Sequence, residues 1–160
     1  LGKLINQTVK AHQDQARLRN ISLNVQLEED IDIVVDASAF SIILSNFVTN
    51  ALKHSPSNSE ILIKNDLEDD FLTTLSVIDH GKGIPKKYRD RVFERFFRVD
   101  KGRAKHSGGT GLGLAISKHL ARLMGYEVGM KPNKPNGSRF WISVNYASSE
   151  EEKSLTPELA

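Results

Sequence analysis

Three groups of residues stand at spacings that could carry chemistry. Asn46, Asn50 and Lys53 occur at i, i+4 and i+7 in ASAFSIILSNFVTNALKH (37–54). On a helix they would fall within roughly 60° of one another. That polar stripe borders an apolar one of Phe40, Ile43, Leu44, Phe47 and Ala51, which is the natural core face. It is either a solvent face or the rim of a cleft; asparagine is a mediocre helix former, and spending two on one stripe favours neither helix stability nor chance. The second group is LSVIDHGKGI (75–84), an apolar run ending in Asp79 and followed by Gly81 and Gly83. A strand-end carboxylate with glycines behind it can be presented to a flat ligand pressed against bare backbone, although the same pattern also makes an ordinary turn. The third is SGGTGLGLAIS (107–117), with Gly108, Gly109, Gly111 and Gly113 at the start of an apolar, helix-like stretch. Glycine disfavours a helix interior by roughly 0.5–1 kcal/mol against alanine, so the placement needs a reason.

Charge adds a fourth observation. Residues 82–105 carry ten Lys/Arg against three acids, although the 160-residue chain has a formal charge of only +2. Such a local positive field draws anions, or is simply a solvated basic surface. Nucleic acid is not expected as a partner, because the basic segment lacks an aromatic-interleaved strand pattern. There is no cysteine, which excludes disulfides and thiolate chemistry and suits a cytoplasmic location. No 18-residue apolar run and no signal peptide are visible, so no direct membrane contact is expected. The chain starts at Leu1, and we expect it to be a piece of a longer protein.

The elements that must position these groups follow from periodicity. Residues 1–18 read as a helix, ISLNVQL (21–27) as a strand, IDIVVD (31–36) as a second short strand, and 37–54 as a helix ended by Ser55-Pro56. EILIKND (60–66) and FLTTLSVID (71–79) form two strands across an acidic turn at 67–70. A short helix is expected near 86–93 within an irregular region (80–110), then a helix over 112–124 and a hairpin of YEVGMK and SRFWISV around PNKPNG. The tail from Ser148 is polar and expected to be disordered. Strands and helices mix without a regular βαβ beat, which predicts an α+β fold with a helix layer on one face of a mixed sheet. The expected organisation is a connecting helix at 1–20, a domain at 21–147 and a tail at 148–160.

Taken in order, NFVTNALKHS (46–55), DHGKGI (79–84), FERFFR (93–98) and GGTGLGLAISKHLARLMG (108–125) resemble the asparagine, first glycine, phenylalanine and second glycine boxes of the catalytic, ATP-binding domain of two-component sensor histidine kinases. These belong to the gyrase–chaperone–histidine kinase–MutL ATPase superfamily. The resemblance covers about residues 20–145 and implies a two-layer sandwich on a mostly antiparallel sheet. It further implies that ATP and Mg2+ are the cofactors, with Asn50 as the magnesium ligand, Lys53 reaching the phosphates, and Asp79 accepting from the adenine amine. His54 would stand near the nucleotide, Arg98 would approach the terminal phosphate, and residues 99–110 would form a lid. Gly81, Gly83, Ile84, Gly109, Thr110, Gly111, Leu112, Gly113 and Leu114 would line the nucleotide. The glycines then make sense: they leave bare N–H groups at a helix N-terminus, where the first turn lacks partners and carries about half a positive charge, a setting that phosphate fills.

In the superfamily's ATP hydrolases a glutamate stands four residues before the metal asparagine. Here Asn46 occupies that place, expected among both the catalytic and the nucleotide-binding residues, and an amide is no general base. Phosphoryl transfer to a different acceptor is therefore implied. None of His12, His54, His80, His106 and His119 lies in the family's acceptor context. The acceptor histidine is expected on a separate dimerisation domain, with a response regulator downstream, and the isolated domain is expected to be monomeric and unable to autophosphorylate. The competing readings are an ATP-hydrolysing conformational machine and a non-catalytic nucleotide-sensing module. His80, in place of asparagine, and Tyr126, in place of a glycine, depart from the family pattern, and neither is a proposed contact.

Overall fold

The computed structural model describes residues 1–28, 31–67, 72–99 and 109–145. Helix α1 (Gly2–Leu18) buries Ile5 and Ala16. It is reversed by Asn20, whose φ of 53° lies in the left-handed region that asparagine tolerates, into strand β1 (Ile21–Gln26). Asp36 then caps helix α2 (Ala37–His54), its carboxylate accepting from the Ala39 N–H at 2.9 Å. Ser55 is extended because proline follows it, and the helix ends where the sequence says. Strands β2 (Ser59–Leu67) and β3 (Leu72–Ile78) pair antiparallel. A 3-10 turn (Lys86–Arg91), helix α3 (Gly113–Leu123), and strands β4 (Glu127–Pro132) and β5 (Ser138–Asn145) complete the order.

The sheet runs β1-β2-β3-β5-β4; only β1 and β2 are parallel. This is the expected α+β arrangement, a mostly antiparallel mixed sheet with the helices on one face. Alternation sorts the sides. Ile61, Ile63, Leu75, Val77, Phe140, Ile142 and Val144 are buried in the core. The opposite face carries a polar cluster in which Asp66 pairs with Lys64 and with Arg139 (2.6 Å), and the Arg139 Nε donates to Ser76 Oγ at 2.9 Å. Helix α2 is the central element, packed against both α1 and α3. It buries Phe40, Ile43, Leu44, Phe47 and Ala51, the stripe its sequence pattern marked, together with Val48 and Leu52. The Phe47 ring meets Phe140 at 5.7 Å, so truncating Phe47 to alanine would cost about 3–5 kcal/mol.

One expectation changes. Residues 31–36 are not a strand; only Ile33 makes a bridge. Ile31, Ile33 and Val35 do turn toward the core, which produced the alternation, but period-two burial reports one-sided packing and not a hydrogen-bonded ladder. The Val34 carbonyl bonds instead to the Tyr126 hydroxyl, at 2.6 Å. Helix α1 is packed against the rest of the domain. Leu4, Ile5, Val9 and Ala16 of α1 join the same apolar core as the rest. The turn residues 68–70 and the tail from 148 lie outside the described residues, as do 100–108 of the expected lid.

Candidate functional site

Asp79 follows the last residue of β3, where the partner strand β5 begins. Its backbone N–H donates to Ser138 O at 2.9 Å, continuing the ladder by one rung. The side chain turns inward and is 2% exposed. One carboxylate oxygen, Oδ1, accepts from the N–H groups of Gly81 (2.8 Å) and Ser138 (3.2 Å). The other, Oδ2, accepts no hydrogen bond from the described residues. Burial raises the Asp79 carboxyl above the ordinary aspartate range, against the opposing pull of those two N–H groups and of His80.

The glycines around Asp79 mark close backbone approach. A Cβ on Gly81 would lie 2.4 Å from the His54 carbonyl oxygen, at the end of α2. A Cβ on Gly137 would lie 1.9 Å from the Asp79 carbonyl, which also accepts from Asn133 Nδ2 at 3.0 Å. Gly137, Ser138 and Asn133 are site residues that sequence reasoning passed over, because PNKPNG reads simply as a hairpin turn. The available signal was topological: whichever strand pairs with the end of β3 must bring its own first residues to Asp79.

Along α2, Asn46, Asn50 and Lys53 are half-buried and His54 is exposed. The Asn50 amide makes no hydrogen bond among the described residues. Burial first, and then the nearby Arg98 charge, hold the Lys53 amine below the usual lysine range. Two cations from separate motifs thus share one neighbourhood, and Lys53 forms no ion pair among the described residues. Asn46 behaves differently: its amide donates to Gly113 O at 2.9 Å and to Ser117 Oγ at 3.1 Å, tying α2 to the start of α3.

Helix α3 begins without a side-chain cap; Leu112 occupies the N-cap. Gly111, at φ +71°, lets the Phe96 backbone lie against it, and the Phe96 N–H donates to Gly111 O at 2.9 Å. Within the phenylalanine segment, Phe93 meets Phe140 edge-on at 6.2 Å and Phe97 meets Tyr88 at 5.7 Å, while Phe96 is 71% exposed. The fold therefore links the motifs in pairs: α2 with Gly113, α2 with Gly81, and the phenylalanine segment with Gly111. Gly109 and Thr110 precede this helix start; Leu112 and Leu114 flank Gly113, and Ile84 packs on the core beyond Gly83. A groove of about 390 Å³ between α1 and α2, bordered by His12, Ile42 and Ser45, touches Asn46 but none of the other site residues. No group of acidic or histidine side chains among the described residues could cage a metal by itself, so any cation here would need ligand oxygens in addition to Asn50.

A family model described as the histidine kinase-, DNA gyrase B- and HSP90-like ATPase matches residues 35–148. The chain belongs to that family. Within it, this is a catalytic domain of the sensor histidine kinase type. Sensor histidine kinase WalK of Bacillus subtilis (strain 168) is 36% identical over 126 residues, covering 78% of this chain and 21% of WalK. Sensor-like histidine kinase SenX3 of Mycolicibacterium smegmatis is 33% identical over 141 residues, or 88% of this chain and 36% of SenX3. The ATPase domain thus spans about a fifth to a third of these curated relatives. Among solved structures, full-length ShkA in complex with AMPPNP superposes with a TM-score of 0.79 at 28% identity, covering 92% of this chain and 30% of ShkA. The mycobacterial sensor histidine kinase MprB superposes with a TM-score of 0.78 at 26% identity, covering 92% of this chain and 95% of that one. No helix among the described residues of the domain is long and apolar enough to cross a membrane.

Proposed function

We propose that this domain binds Mg-ATP and donates the γ-phosphoryl group to a histidine on a separate dimerisation and phosphoacceptor domain, from which a response regulator receives it. The observation that carries the reading is Asp79: a carboxylate on a largely buried residue, with one oxygen fixed by two backbone N–H groups and the other accepting no hydrogen bond from the described residues. An exocyclic amine supplies the missing donor, and glycine backbone beside it leaves room for a flat base. The residues present also fit the rest of the nucleotide. The uncapped N-terminus of α3 suits phosphate oxygens, and Lys53 and Arg98 supply positive charge. Asn50, whose amide makes no hydrogen bond among the described residues, offers its oxygen to magnesium, a hard ion that keeps several waters and takes few protein ligands. Bound Mg-ATP supplies an activated phosphoryl group with its charge partly neutralised. The chain's own residues hold the base, orient the phosphates and leave the transfer to an acceptor brought from outside.

Asn46 supports transfer over hydrolysis. Its amide has no basic lone pair to take a proton from water, and it is already committed to α3. Phe96 (71% exposed) and Ile116 (44% exposed), on the segments that meet at Gly111–Gly113, offer the acceptor domain an apolar foothold beside the phosphate site. The isolated domain is then monomeric, and the parent works in the cytoplasm whether or not it is membrane-anchored. The test is reconstitution with γ-labelled ATP. Label should appear on a matched acceptor domain only when both are mixed, and the isolated domain should release phosphate slowly. Steady hydrolysis at enzyme-like rates by the isolated domain would instead identify an ATP-driven machine.

A further inference from the structure

The N-terminal turn of α3 has an unusual fastening. A helix start is ordinarily locked by a side chain at its N-cap, but Leu112 has none to offer. A side-chain cap would also consume the N–H groups that a phosphate would use. The turn is held from behind instead. Gly113 O accepts from Asn46 Nδ2 at 2.9 Å and from Ser117 Oγ at 3.0 Å, and Asn46 Nδ2 reaches Ser117 Oγ at 3.1 Å. These three groups close a triangle, with Ser117 fully buried. The orientation of the amide is not arbitrary, since a carbonyl oxygen can only accept and the atom facing it must be the nitrogen. Gly113 is suited to the contact: a Cβ there would stand 3.3 Å from Asn46 Oδ1, tighter than an ordinary van der Waals approach.

We propose that Asn46 is a positioning residue that fixes the first turn of α3 relative to Asn50 and Lys53, one and two helical turns further along α2. Through its Nδ2 hydrogen bonds it holds the phosphate-binding N–H groups at a set distance from the metal and cation stripe. This rests on the phosphate-site reading above and goes beyond it, because it gives a position expected to lie among the catalytic residues a mechanical task that needs a donor and not a base. Both halves of the phosphate site then move as one body.

The test uses Asn46→Asp, which keeps the shape but turns an acceptor toward Gly113 O, and Ser117→Ala, which removes one corner of the triangle. Affinities for Mg-ATP and for adenosine are measured on the whole chain by titration, with hydrogen exchange of residues 113–117 in the nucleotide-free protein. We expect Asn46→Asp to weaken Mg-ATP about tenfold or more and adenosine less than twofold, with faster exchange at the start of α3. Ser117→Ala should weaken Mg-ATP two- to threefold. The double variant should be no worse than Asn46→Asp alone, because both substitutions undo one device. Equal losses for Mg-ATP and adenosine would overturn the proposal, since that is what general loosening gives; so would an unchanged Mg-ATP affinity in Asn46→Asp. If Asn46→Asp fails to fold, Ser117→Ala alone decides by the same ratio. A wild-type chain that binds adenosine but gains nothing from the triphosphate would overturn the phosphate-site reading, an outcome distinct from failure of the tether.

Discussion

Under the proposed function, Asp79 is costly for folding and useful for binding. Its folded-state acidity is shifted upward, chiefly by burial. A raised carboxyl contributes stability below the unfolded-state value and loses it as pH rises through the folded one; above both, the buried charge is a standing cost. Asp79→Asn removes that charge and retains an oxygen for the Gly81 and Ser138 N–H groups. At neutral pH the variant should therefore unfold at an equal or higher denaturant concentration than wild type, with the gain shrinking toward acid. Its ATP affinity should fall roughly 10- to 150-fold, because a hydrogen bond to a charged acceptor contributes about 1.5–3 kcal/mol. Calorimetry and denaturation on the same protein check both halves, and a destabilised Asp79→Asn with intact affinity would contradict both. Asp79, Gly81 and Gly83 were legible from the sequence because a strand-end carboxylate followed by glycines is a local pattern. Asn133 and Ser138 were not, since their proximity exists only once β5 pairs with β3.

At the scale of elements, α2 and α3 could be read almost to the residue because amphipathic periodicity and a proline stop are local signals. Residues 31–36 misled because alternation cannot distinguish a strand from an extended segment packed on one side. The packing of α1 is less legible for a related reason: its apolar residues are sparse, and only the tertiary structure shows Ile5 and Ala16 fully buried. The same region explains Tyr126, which departs from the family's glycine. Its hydroxyl donates to Val34 O at 2.6 Å and straps the segment entering α2 to the segment leaving α3. Tyr126→Phe should lower stability by about 0.5 kcal/mol, the lower end for one hydrogen bond because this one is solvent-exposed. Mg-ATP affinity should stay within twofold of wild type. Denaturant titration beside a binding isotherm separates the strap from the site, and a large loss of affinity would show that the two are coupled.

For the whole molecule, the proposed function implies a division of labour between holding the nucleotide and completing the transfer. Asp79, just after β3, and the α3 N-terminus are joined through the core and the Asn46 triangle. Arg98 stands outside regular secondary structure, yet its charge is felt at Lys53, and the proposed function puts both beside the phosphates. In transfer between domains, charge on the departing phosphoryl oxygens is best met by a cation whose contact strengthens in the transition state. The planar guanidinium offers phosphate two donors at once, which an ammonium group cannot. Arg98→Ala, supplied with a matched acceptor domain, should therefore slow histidine phosphorylation at saturating ATP by about 10²-fold, the scale of losing one transition-state donor. Its ATP affinity should change less than threefold. Arg98→Lys should recover part of the rate, since charge returns without the fork. Rapid-quench phosphorylation across a range of ATP concentrations reads this directly. A defect that vanishes as ATP is raised would place Arg98 among the residues that hold the nucleotide, and the division would then run elsewhere in the domain.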